Sequence, residues 1–203
     1  FARLRADQDL NGAWRLASAV LTLAVGAALV FGLLLIVFAP VYMPLLLPDA
    51  APAQLELAIR LTQIMMVTTV IFAASGLLMG ILNAHQVFLL PALAMSMNNL
   101  GLIFGGLVLA HIIPTESGLF AYESSTSANI YGLALGAILG ATLHLVVQLP
   151  GLWKIRARLR FLPHPRIKGV GEVLKLMLPR VFGLGVARLN FIVSLYFAGL
   201  MLV

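Results

Sequence analysis

Two arginines set in apolar sequence, Arg180 and Arg188 in "MLPRVFGLGVARLNFIVSLYF", are the residues of this chain best suited to hold an anion. A guanidinium offers paired donors in a fixed fork that matches a phosphate or a carboxylate. Placing one at the centre of a membrane helix costs roughly 2.5 to 3.5 kcal/mol on insertion scales, so each must find a way out of the lipid. Arg180 can do so by reaching back to the inner headgroups. Arg188 lies eight residues further on, about 12 Å along a helix, and is expected to face protein or a wet cavity. Pro179, Gly183 and Gly185 surround the pair. Proline removes a backbone donor and glycine loosens the helix, which makes these three the hinge candidates. Asn98 and Asn99 in "MSMNNLG" pose a related question. An amide at apolar depth needs a partner, so each either ties helices together or lines a pathway.

Other chemistry is poorly supported. No Asp or Glu falls inside a long apolar stretch, and no phosphate-cradling glycine loop, serine-histidine-acid set or pair of carboxylates is visible. With no cysteine and four scattered histidines, neither a disulfide nor a metal site is expected. The sequence therefore predicts a protein that is not an enzyme and needs no cofactor.

The elements that position these residues are membrane helices. The chain is 62% hydrophobic and 10% charged, with a mean hydropathy of +1.05, whereas soluble domains carry about 25% charged residues. The net charge of +6 and the pI near 10.3 do not mark a nucleic-acid binder. The positive residues crowd into short segments between uncharged runs, above all Lys154, Arg156, Arg158, Arg160, Arg166 and Lys168.

A helix needs about 20 apolar residues to cross a bilayer. The charge-free runs predict spans near 16–38, 57–82, 90–113 and 129–149, and a fifth from about 172 to the end. Prolines in "APVYMPLLLPDAAPAQ" are expected to end the first span, and "NAHQVFLLP" to break the second from the third, with Asn83 as a cap. Arg3, Arg5 and Arg15 precede the first span, and the basic segment lies between the fourth and fifth. The loops near 39–56 and 114–128 carry acids but no Lys or Arg. The positive-inside rule then places the basic segments in the cytoplasm and the acidic loops outside. Each basic residue near an anionic leaflet contributes on the order of 1 kcal/mol, so the stretch 154–168 is read as an anchor to membrane lipids. Its alternation, "KIRARLRF", also suits an amphipathic strand or an interfacial segment with Trp153, Ile155, Leu159 and Phe161 among the headgroups. Gly101 with Gly105, and Gly132 with Gly136 and Gly140, put small residues at four-residue spacing, the usual device for close helix packing in lipid. The chain starts at Phe1 and ends in an apolar run, and is expected to be an internal piece of a longer protein.

The stretches "GLLMGILNAHQVFLLPALAMSMNNLGLIFG", "GAILGATLHLVVQLPGLWKI" and "VLKLMLPRVFGLGVARLNFIV" together resemble, in order and spacing, the bacterial MurJ/MviN lipid II flippases of the MOP exporter superfamily. The resemblance implies an all-α, polytopic transmembrane bundle whose five spans match helices 3 to 7 of a fourteen-helix transporter. Residues 1–152 would belong to the N-terminal lobe, 153–171 to a basic cytoplasmic loop, and 172–203 to the start of the second lobe. It implies a protein of the bacterial cytoplasmic membrane that flips lipid-linked peptidoglycan precursor by alternating access. Cell-wall synthesis proteins are partners of that reading. The last span would be the bent helix lining the central cavity, with Arg188, Asn190 and Ser194 on its wall and Arg180 and Asn99 as further cavity candidates. Ser194 stands where some relatives carry an Asp that helps to bind sodium, and Arg188 where glutamine is common. An exporter of O-antigen lipid or of drugs, or a nontransporting scaffold for cell-wall assembly, are the alternative readings.

Overall fold

The computed structural model describes residues 10–114, 128–160, 162, 169–173, 175–183, 185 and 186. Among them the chain is helical, with no strand. Helix α1 is Leu10–Leu46 and α2 is Pro52–Ala84. Helix α3, Leu89–Phe104, continues through a π-helical stretch, Gly105–Leu109, into the short α4, Ala110–Ile112. Helix α5 is Ile130–Val146 and α6 is Leu149–Lys154. Helical residues resume at Val170. Four stretches, Asn11–Leu46, Pro52–Ala84, Leu89–Ile112 and Ile130–Lys154, are long and apolar enough to cross a membrane, and the protein is multi-pass. The fifth expected span falls partly on described residues, which are helical as far as Val186. Residues 187–203 lie outside them.

The helices form a row. Helix α1 packs on α2, α2 on α5, and α5 on α3. The tightest crossing is between α5 and α3, where glycine meets glycine. A Cβ built on Gly136 would lie 2.5 Å from Cα of Gly105 and 2.9 Å from the carbonyl oxygen of Gly101. One built on Gly101 would collide with the backbone of Gly140, and one on Gly132 with the backbone of Ala110. The glycine pattern of the sequence is therefore a packing seam, and no larger residue fits along it. At the far end of the seam the buried Asn129 starts α5 as its cap, accepting from the amide of Tyr131 at 3.0 Å. Its own Nδ2 donates to the carbonyl of Pro114 at 2.9 Å, which joins the two flanks of the 115–127 connection.

Two expectations are corrected. The prolines do not end the first span, because α1 runs through Pro40 and Pro44 to Leu46. Proline has no amide hydrogen, so at position 40 it leaves the carbonyl of Ile36 without its helical partner. Such an orphan is costly in lipid. Here Gln63 of α2 donates Nε2 to Ile36 O at 3.1 Å, replacing the missing donor from a neighbouring helix. Helix α1 thus reaches 37 residues, about 55 Å at 1.5 Å per residue, well beyond a hydrocarbon core of about 30 Å. The second correction concerns the α2–α3 turn. His85, and not Asn83, takes the cap position, and Gln86 reverses the chain at φ 60°.

Replacing Gln63 by Leu is expected to destabilise the detergent-solubilised protein by about 1 to 3 kcal/mol, the cost of a buried acceptor left unmet. Adding Pro40→Ala returns an amide hydrogen to position 40 and is expected to recover most of that loss. A thermal melt of both variants checks this; a Pro40→Ala change that fails to suppress Gln63→Leu would contradict the assignment.

Candidate functional site

Two polar features stand out from the apolar row, and they share one end of it. Trp14, Ala17, Leu78, Ile81, Leu82 and Leu152 form a buried cluster joining the start of α1, the end of α2 and α6. Trp14 stacks on His85 with ring centroids 5.6 Å apart. The segments whose positive charge or turn residues predicted a common side of the membrane therefore meet.

The basic segment is docked at this end. After α6 the chain turns at Arg156, where φ is 52°, and continues without regular structure over 157–160. Ser18 Oγ accepts from the amide of Arg160 at 3.0 Å, and Thr22 Oγ1 from the amide of Leu162 at 3.2 Å. Two hydroxyls on α1 thereby satisfy backbone donors that no strand partner satisfies. Ile155, Ala157 and Leu159 turn inward onto the Trp14 cluster, while Lys154, Arg156, Arg158 and Arg160 are exposed. The alternation in "KIRARLRF" is real, but Ile155 and Leu159 pack on protein, and of the described apolar residues it is Trp153, 79% exposed, that faces outward. Phe161 lies outside the described residues. Beyond the segment, Gly169 adopts φ 98° against Leu16, and Val170 is buried with Leu16 and Ala19. Arg160, Leu162, Gly169 and Val170 thus all lie against α1.

The second feature is a buried polar cluster between α2 and the α5–α6 break, formed by Ser75, His144 and Gln148. Its local cause is the sequence "HLVVQLP". Pro150 cannot continue the hydrogen bonds of α5, and the last turn tightens so that Gln148 N bonds Leu145 O at 3.1 Å. This releases the carbonyl of His144, which accepts instead from the side chain of Gln148 at 2.9 Å. Gln148 Nε2 also donates to Ser75 Oγ at 2.6 Å. An amide nitrogen can only donate, so Ser75 accepts from it, and Ser75 Oγ also shares a hydrogen bond with His144 Nδ1, 2.6 Å away. The edge of Phe72 closes the cluster, 5.3 Å from the imidazole. Gln148 Oε1 is buried with no hydrogen-bond partner among the described residues. Sequence reading passed over all three residues. The available signal was a His and a Gln four residues apart before a proline, continuing the four-residue spacing of the α5 glycines.

Of the residues singled out by sequence, Asn98 sits at the seam, its carbonyl and side-chain oxygens against Gly140, whereas Asn99 is on the exposed side of α3. Arg180 and Pro179 lie in an exposed helical stretch. Gly183 and Gly185 have nothing within 4 Å of where a Cβ would be. Val170, where helical residues resume, packs on α1, at the other end of the row from the α3 that carries Asn99. Arg188, Asn190 and Ser194 are outside the described residues. No group of three His, Cys, Asp or Glu able to hold a metal occurs among the described residues.

Comparison with known proteins bears on the whole chain. The family described as lipid II flippase MurJ matches residues 1–202. A probable lipid II flippase MurJ of Synechocystis sp. is 28% identical over 196 residues, which is 94% of this chain and 36% of the relative. A lipid II flippase MurJ of Burkholderia cenocepacia is 32% identical over 145 residues, covering 68% of this chain and 25% of the relative. The chain thus spans between a quarter and about a third of the length of these relatives. No solved structure matches it.

Ser75 and Gln148 are expected to behave as one unit. Ser75→Ala and Gln148→Leu should each destabilise by about 1 to 3 kcal/mol, and the double variant by less than the sum, with a coupling above about 0.5 kcal/mol. Additive melting shifts in a double-mutant cycle would show that the contact carries no energy.

Proposed function

The chain belongs to the lipid II flippase MurJ family, and from that membership we propose that the full-length protein moves lipid-linked peptidoglycan precursor across the bacterial cytoplasmic membrane by alternating access. The observation carrying this reading is the family match over residues 1–202. It is a transporter and not an enzyme. The amphiphile it carries has an anionic pyrophosphate head that must pass through an apolar barrier, while its prenyl tail can remain in lipid.

The parts of the chain fit separate roles in that task. Residues 1–152 form part of the N-terminal lobe, which the glycine seam and the Ser75 cluster hold together. Residues 153–171 form a cytoplasmic loop whose exposed Lys154, Arg156, Arg158 and Arg160 meet anionic membrane lipids, an orientation that follows the positive-inside rule. Residues 172–203 open the second lobe. Within it, Pro179, Gly183 and Gly185 supply the hinge. The open space around both glycines supports this, since no close approach demands a missing Cβ there. Arg188, Asn190 and Ser194 contribute to the cavity wall, and Arg180 and Asn99 to its approaches. Proteins of cell-wall synthesis are the expected neighbours on either side of the reaction, as suppliers and users of the lipid.

Rescue tests the reading. The full-length gene, expressed in a bacterium depleted of its own lipid II flippase, is expected to restore survival and externally accessible lipid II. Stable, membrane-inserted protein that leaves lipid II inside would contradict it and favour another cargo or a scaffold. Arg188→Gln is expected to lower externalisation roughly tenfold, corresponding to loss of a charged hydrogen bond of about 1.5 kcal/mol. Unchanged transport by that variant would reject a need for the charge.

A further inference from the structure

Gly106 is the one glycine of α3 and its π-helical extension for which the seam gives no reason. A Cβ built on Gly101 or Gly105 would run into the backbone of α5, whereas one on Gly106 would meet Cδ1 of Leu133 at 3.7 Å, an ordinary contact. Glycine weakens a helix relative to alanine, and here that weakness lies within the π-helical stretch Gly105–Leu109. We propose that the Gly105–Gly106 doublet makes this stretch a two-register joint. The extra residue of the π-helix moves from one side of the doublet to the other and turns the exposed face of α3 while the seam stays closed.

The extra residue is visible in the spacing of the contacts. On α5 the seam advances by fours, through Gly132, Gly136 and Gly140, but on the facing chain it runs Gly101, Gly105, Ala110, by four and then by five. The backbone agrees, since the Gly105 amide donates to Gly101 O and the Ala110 amide to Gly105 O. A continuous α-helix would bring Leu109 to the place of Ala110, a buried alanine whose backbone lies against Gly132. It would also misplace a polar contact. The carbonyl of Ala110 lacks its helical partner because Pro114 has no amide hydrogen, and it accepts instead from the amide of the buried Asn129 at 2.6 Å. Leu109 O already accepts from Ile113 N at 3.0 Å. Both contacts hold the extra residue between Gly101 and Ala110.

Within those limits it has two places. In the present register the wide turn follows Gly105. In the other it precedes Gly106, whose amide then donates to Gly101 O and whose carbonyl accepts from the amide of Ala110. One wide turn is exchanged for another, so the hydrogen-bond ladder favours neither register. The second register exists only if the residue that comes to face Gly136 has no Cβ, because the backbones there are in direct contact. Gly106 meets that condition. Passing between the registers swings positions 104–107 about the helix axis, and with them Phe104 and Leu107, both exposed. The ends stay in place, with Gly101 on Gly140 and Ala110 on Gly132 and Asn129. Helix register shifts of this kind occur on the microsecond to millisecond scale.

A fluorine probe tests this in the full-length protein in lipid nanodiscs, and the outcome does not depend on which lipid the protein carries. With para-fluorophenylalanine at position 104, the fluorine lies on the axis of ring flips, so flips alone do not shift its resonance. The parent protein is expected to show a second fluorine line, or exchange broadening on the microsecond to millisecond scale. Gly106→Ala fits the present register, where its Cβ meets Leu133, but sets a Cβ against Gly136 in the other. That variant is expected to keep the melting temperature and to leave one narrow line. Should it not fold, deletion of Gly106 removes the extra residue and brings Gly101, Gly105 and Ala110 to an even four-residue spacing, and is likewise expected to give one narrow line. A single narrow line in the parent protein, or a second component that survives in either folded variant, overturns the proposal.

Discussion

The contact on which the arrangement rests is backbone against backbone, where Gly101 and Gly105 of α3 and its π-helical extension meet Gly132, Gly136 and Gly140 of α5. Between helices in lipid there is little hydrophobic gain to be had, since an apolar side chain is equally content against an acyl tail. Dispersion and polar contacts must hold the helices instead, and both fall steeply with distance. Removing every Cβ along the seam is what allows the closest approach. It also fixes the rotation of α5 about its axis. With the glycine face given to α3, the slow drift of the four-residue spacing carries His144, one turn past Gly140, and then Gln148 beyond the helix end, round to Ser75 on α2.

At several breaks in helical hydrogen bonding the exposed donor or acceptor is met from a different helix or from a side chain nearby. Ile36 O, orphaned by Pro40, is met by Gln63. The carbonyl of His144, released where α5 tightens, is met by Gln148. At the surface end, Ser18 and Thr22 meet the amides of a segment that belongs to neither helix nor sheet. The polar residues are few, and their positions are dictated by where proline and chain reversal remove the regular partners. Among the described residues, Gln148 Oε1 is the buried side-chain acceptor left without a partner.

Much of the architecture was legible in the sequence because membrane helices are written in composition and length. Four expected spans agree with the helices to within a few residues at most ends, and the glycine spacing announced its seam. What was not legible follows from physics that acts between distant positions. Pro40 looked like a stop because nothing near it in sequence reveals Gln63, 23 residues later, as a substitute donor. The basic segment read as a free interfacial anchor because Ser18 and Thr22 lie more than a hundred residues before it. Ser75, His144 and Gln148 were invisible as a group, since serine in a membrane helix ordinarily bonds back to its own helix. Thr68 does just that, donating to Met65 O at 2.6 Å. Among the cavity and hinge candidates, the described residues place Asn99, Pro179, Arg180, Gly183 and Gly185 on exposed helix surfaces, and they give Asn98, not Asn99, the interhelical contact.

Helices α3 and α5 are expected to move as a single body, because a seam of backbone atoms offers no intermediate position in which to slide. Spin labels at Met95→Cys and Val146→Cys, both on exposed faces near the same end of the seam, measure this directly in full-length protein whose only cysteines are that pair. Distance distributions in lipid nanodiscs, with and without lipid-linked precursor, should show one narrow peak at the same position. A second peak, or a shift on adding the lipid, would contradict the account by showing that the glycine seam itself opens during the cycle.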